Sequence, residues 1–109
     1  MKILATFCCL VFGVSALAMA DAPIRYEEGT RLMHRYHCQT CHRAYGSLQG
    51  PSFRAIARRY ASDPDAVEEL EMKVLNGSSG AWGTRFAMPS SEVPPADLHA
   101  LIRWILSLR

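Results

Sequence analysis

Five consecutive residues hold the densest chemistry in the chain: Cys38-Gln39-Thr40-Cys41-His42. Thiols three positions apart lie about one helical turn from each other, on one side of the backbone. Placed so, they can add to the two vinyl groups along one edge of a porphyrin and become thioethers. The next residue, His42, then lies under the ring with its imidazole aimed at the metal. A C-x-x-C-H run is accordingly the attachment signature of a c-type haem. Other chemistries also use C-x-x-C. A thioredoxin-like redox pair belongs in a βαβ setting, and no such pattern is visible. A zinc site needs two more ligands at zinc-like spacing, and no second C-x-x-C or H-x₃₋₅-H pair follows. His34 and His37 lie close by, so a Cys₂His₂ cluster stays open by count. A Cys38–Cys41 disulfide is the plainest alternative, but it closes too small a loop to constrain the unfolded chain much.

The surroundings of the motif favour haem. Residues 1–20 read MKILATFCCLVFGVSALAMA, with Lys2 the only charge. An apolar run from Ile3 to Leu17 followed by Ala18-Met19-Ala20 is the pattern of a cleaved secretory signal, and it is shorter than the ~20 residues of a bilayer span. Cleavage leaves residues 21–109 as a single domain and removes Cys8 and Cys9, so that Cys38 and Cys41 are the remaining thiols. A domain of that size buries only about 60–65 % of its unfolded surface, and exported domains so small often add disulfides or a metal. A haem would complete the core, and covalent links would retain it in a fold too small to wrap it. The whole chain of 109 residues carries 12 basic and 10 acidic side chains. That balance excludes an electrostatic nucleic-acid binder and argues against disorder.

Helices must position these groups, because no segment alternates with period 2. The spacing of Gly29, Leu32, Met33 and Tyr36 predicts a first helix over about Tyr26–Tyr36. A second starts after Ser52 as N-cap, with Phe53, Ile56, Ala57 and Tyr60 on one face. A third opens at Asp63-Pro64, read as N-cap and first helical position, and runs to about Leu75 with Val67, Leu70 and Val74 inward and Gly77 at its C-terminal end. The last begins near Pro95 and carries an apolar stripe of Leu98, Leu101, Ile102, Ile105 and Leu108. Residues 76–95 form a long ordered loop holding Trp82 and Met88. Trp104 is expected at the crossing of the first and last helices, near Leu32 or Met33. Arg54, Arg58 and Arg59, and likewise Glu68, Glu69 and Glu71, read as solvated helix faces.

At this point the chain resembles the small monohaem class I cytochromes c of bacteria, over essentially all of residues 22–109. The likeness rests on Cys38-Gln39-Thr40-Cys41-His42, Gly50-Pro51-Ser52-Phe53, Lys73-Val74-Leu75-Asn76-Gly77, Gly80-Ala81-Trp82-Gly83, Met88-Pro89 and Arg103-Trp104-Ile105-Leu106-Ser107, in this order. It implies an all-α fold of about four helices, the first and last crossing, around one haem c per chain held through two thioethers. It implies His42 as proximal ligand and Met88 as distal ligand. It also implies a Pro51 carbonyl that accepts a hydrogen bond from the other nitrogen of His42, and Lys73 and Trp82 reaching a haem propionate. Met33 on an inward helix face and Met72 within a helix suit the distal position less well than Met88, which lies in a proline-flanked loop. His34, His37 and His99 are rival ligands and read as surface or partly buried histidines.

With both axial positions filled, the expected function is that of a soluble periplasmic electron carrier, not an enzyme. Its partners would be a protein electron donor and acceptor of a respiratory chain, met transiently at membrane or periplasmic redox complexes, with no nucleic acid, and the carrier itself a monomer. The chain departs from such relatives in three places. The Trp82–Met88 segment is longer by one residue, Pro89-Ser90-Ser91 replaces a Pro-Pro-Asn, and Lys73 stands where arginine is usual and cannot make a bidentate contact.

Overall fold

A computed structural model describes residues 22–83 and 85–109 of the chain. The leader expected over residues 1–20 lies outside them. Among the described residues the regular elements are four α-helices and one 3₁₀ turn: α1 (Tyr26–Arg35), the turn (Cys38–Thr40), α2 (Phe53–Arg59), α3 (Ala66–Asn76) and α4 (Pro95–Ser107). Among the described residues there is no strand, and an isolated antiparallel bridge joins Ser78 and Met88.

The helix starts follow from local chemistry. Ser52 caps α2 by accepting a hydrogen bond from the Ala55 amide at 3.0 Å, which satisfies one of the free N–H groups of the first turn. Pro95 sits at the first position of α4, where its missing N–H costs nothing. The expected start of α3 at Asp63-Pro64 is corrected to Ala66. The Asp63 carboxylate accepts from the Asp65 amide at 2.8 Å, and its carbonyl accepts from Ala66 at 3.3 Å. The aspartate therefore closes a turn ahead of the helix instead of capping it.

Helix α4 is the hub, for it packs on each of the other three. Leu98, Leu101, Ile102, Trp104 and Ile105 are its buried side chains, and they meet Leu32 and Met33 of α1, Phe53 and Ile56 of α2, and Ala66 and Leu70 of α3. Val67, Val74 and Leu108 lie only partly buried against this core. At the α1–α4 crossing Trp104, 2 % exposed, seats over Gly29, where a Cβ would overlap the indole. The rings of Tyr26 and Phe53 meet the same indole edge-on at 5.8 and 5.9 Å. Trp104 shares the core cluster with Leu32 and Met33, as expected at this crossing, and Gly29, Tyr26 and Phe53 are the further neighbours that the sequence did not single out. The crossing is fastened at its rim by Tyr36, whose phenol donates to Asp97 at the start of α4.

The acidic face of α3 is not simply solvated. Glu69 accepts from the Tyr60 phenol at 3.1 Å, and Glu71 lies 2.9 Å from Nδ1 of His99 on α4. No helix among the described residues is long and apolar enough to cross a membrane.

Candidate functional site

Cys38 follows a tight reversal at the end of α1. His37 takes a left-handed conformation, φ 58°, and the 3₁₀ turn then brings Cys38 and Cys41 together with His42, whose amide donates to the Cys38 carbonyl at 2.9 Å. The two thiols are free, not bridged to each other. Burial pushes the Cys38 thiol above the usual cysteine range. The Cys41 sulfur lies 3.1 Å from Oε1 of Gln49. Among the described residues no three His, Cys, Asp or Glu side chains converge to hold a metal ion, so the Cys₂His₂ zinc cluster that count left open is not built.

His42 is 8 % exposed and is held by the segment Gly50–Phe53, each residue of which has one task. The Gly50 amide donates to the Cys41 carbonyl at 2.8 Å. The Pro51 carbonyl lies 2.7 Å from Nδ1 of His42. Ser52 caps α2. Phe53 stacks on the imidazole, centroids 5.4 Å apart and planes 18° apart. A carbonyl can only accept, so Nδ1 carries the proton and Nε2 presents its lone pair to a metal. The stacked phenyl ring was not singled out as a site residue from the sequence; its signal was the apolar residue directly after the Ser52 cap.

Met88 belongs to the long loop, and its backbone is fixed by an exchange with Ser78. The Met88 amide donates to the Ser78 carbonyl at 2.7 Å and the Ser78 amide to the Met88 carbonyl at 3.0 Å. Gly77, at φ +79°, makes this possible, since a Cβ there would stand 2.8 Å from the Met88 carbonyl oxygen. Beyond the proline, the Ser91 amide donates to the Val74 carbonyl at 2.9 Å. The segment bearing the thioether is thereby tied at one end to Ser78, just past α3, and at the other to Val74 in the last turn of that helix.

Lys73 and Trp82 are held by different neighbours. The Lys73 amine is 3.8 Å from a Glu69 carboxylate oxygen one turn earlier on α3. The indole of Trp82 is covered by Arg59, whose guanidinium carbon stands 4.5 Å from the ring centroid. Arg59 also donates to the Ala81 carbonyl at 2.6 Å. Arg54 lies likewise over the Tyr45 ring, at 5.7 Å. Two of the three arginines read as a solvated face thus rest on aromatic rings. Nothing periodic in the sequence links residue 59 to residue 82, so this pairing left no signal.

The donor set fits a c-type haem: two unbridged thiols one turn apart, and a following imidazole with Nδ1 engaged and Nε2 presented. The cytochrome c family model matches residues 26–109. The chain is 36 % identical over 106 residues to cytochrome c-552 of Nitrosomonas europaea, covering 97 % of this chain and 95 % of that one. It is 34 % identical over 95 residues to cytochrome c-551 of Allochromatium vinosum, covering 87 % and 93 %. The crystal structure of wild-type Nitrosomonas europaea cytochrome c552 superposes with a TM-score of 0.69 at 38 % identity, over 73 % of this chain and 99 % of that one.

Proposed function

The chain belongs to the cytochrome c family, and from that premise we propose that it is a soluble periplasmic carrier of single electrons, exported by a leader over residues 1–20 and not an enzyme. Membership brings with it a covalently bound c-type haem and a place in electron transport. When bound, that group supplies one-electron cycling between Fe(II) and Fe(III). The chain's own residues hold and tune it. Cys38 and Cys41 form the two thioethers to one haem. His42 offers Nε2 as the proximal ligand, and the Pro51 carbonyl and the Phe53 ring keep the imidazole in one tautomer and one plane. Met88 would supply its thioether as the second protein ligand, one that raises the potential relative to a second histidine. Trp82 donates its indole N–H, and Lys73 its ammonium, toward a propionate. The partners are a protein donor and a protein acceptor of a respiratory chain, met one at a time by a monomer.

One observation supports this reading most: a buried His42 whose Nδ1 is taken by the Pro51 carbonyl, directly after two free thiols. Haem should stay with the polypeptide in a denaturing gel. The native protein should not bind carbon monoxide readily, since His42 and Met88 would together leave the iron no open position. Met88→Ala should open one of them and create carbon monoxide binding while the haem stays attached. Met88→His should keep six ligands and lower the potential. Rapid carbon monoxide binding by the unaltered protein would sink the carrier reading.

A further inference from the structure

Helix α2 touches both sides of the site. At its first residue, Phe53 backs the His42 imidazole. At its last, Arg59 covers the Trp82 indole and bonds the Ala81 carbonyl. The indole needs such a hold. Ala81 and Trp82 form the tip of a turn closed by the Gly83 amide on the Gly80 carbonyl at 3.3 Å, and both glycines have positive φ. A turn flanked by two glycines has little stiffness of its own, and Trp82 stays 36 % exposed. A planar guanidinium can lie flat on the indole while an N–H reaches the neighbouring carbonyl; a lysine ammonium lacks that fork.

The charges of Arg59 and Lys73 also differ in what surrounds them. The Lys73 amine lies near the Glu69 carboxylate, so its charge is partly offset by an opposite one. Among the described residues Arg59 meets a ring face and a carbonyl, and neither carries a net negative charge.

We propose that Arg59 is a positioning residue of the redox site: it pins the Trp82 indole and brings to that edge a positive charge that favours the ferrous form. This rests on the reading of Trp82 as a propionate donor. The test uses the haem-loaded protein and three variants, Arg59→Gln, Arg59→Lys and Lys73→Gln, with two measurements. One is hydrogen exchange at the Trp82 indole N–H, followed by NMR with the Trp104 indole as internal reference. The other is the ferrous-to-ferric ratio in equilibrium with a redox mediator. Both Arg59 variants should speed exchange at Trp82 about tenfold and leave Trp104 unchanged. Arg59→Gln should move the ratio about threefold toward ferric. Arg59→Lys, which keeps the charge, should move it less, and Lys73→Gln less than Arg59→Gln. The proposal is overturned if Arg59→Gln leaves either measurement at its starting value, if Arg59→Lys leaves exchange unchanged or shifts the ratio as far as glutamine does, or if Lys73→Gln shifts it more. Failure of the underlying reading shows elsewhere: as haem lost from the unaltered protein in a denaturing gel, or as an unchanged ratio in Trp82→Phe.

Discussion

At His42 the two ring nitrogens have opposite surroundings, one facing a backbone carbonyl and the other free to bind metal. Phe53 controls the remaining freedom, rotation of the ring. Phe53→Leu should keep haem attached and the fold intact, yet broaden the distribution of imidazole orientations, readable in the electron paramagnetic resonance of the ferric form. Two phenols give the molecule a pH response. The Tyr36 phenol is held above the usual tyrosine range, first by its hydrogen bond to Asp97 and then by burial. Tyr60 is raised first by burial and then by its bond to Glu69. A group whose pKa is raised on folding binds its proton more tightly in the native state. The stability it contributes is complete below the unfolded value of about 10 and is lost as pH rises past it. Denaturant midpoints measured from pH 8 to 12 should fall above pH 10, and Tyr36→Phe with Tyr60→Phe should flatten that fall.

Among the elements, α2 was the most legible, because a side-chain cap and a four-residue apolar face coincide within it. Removing the cap with Ser52→Ala should cost about 1 kcal/mol in chemical denaturation. The start of α3 was misread by two residues, since Asp-Pro serves equally as a cap with its first helical position or as a turn leading into a helix. Only the bond that Asp63 makes to Asp65 decides between them. The long loop was recognised but its internal order was not. The exchange between Ser78 and Met88, and the stacking of Arg59 on Trp82, join residues whose spacing follows no period. The residue types needed at a site can be read from a chain; the pairings that hold a loop come from closing it. Gly77 shows what such a pairing demands. Gly77→Ala forces a positive φ on a residue with a Cβ and presses that carbon on the Met88 carbonyl, at a cost of about 1–3 kcal/mol. The strain should surface as carbon monoxide binding to a haem that stays attached.

For the molecule as a whole, the contact of Trp104 with Gly29 joins the two ends of the described chain. Trp104→Ala should lower unfolding free energy by about 3–5 kcal/mol, and Gly29→Ala by about 1–3 kcal/mol through overpacking. Because the two residues touch, the losses should not add in the double variant. The same contact sets an order of events during synthesis. The chain emerges from its N-terminus, so α4, on which α1, α2 and α3 all pack, is made after those three. Until it arrives, α1 to α3 lack the surface they bury against, and the two thiols at the end of α1 stand in a loose polypeptide. Attachment of the prosthetic group therefore has a window that opens when Cys38 and Cys41 emerge and narrows when Trp104 finds Gly29. A chain cut short before α4 should still accept its cofactor covalently, yet remain a substrate for proteases.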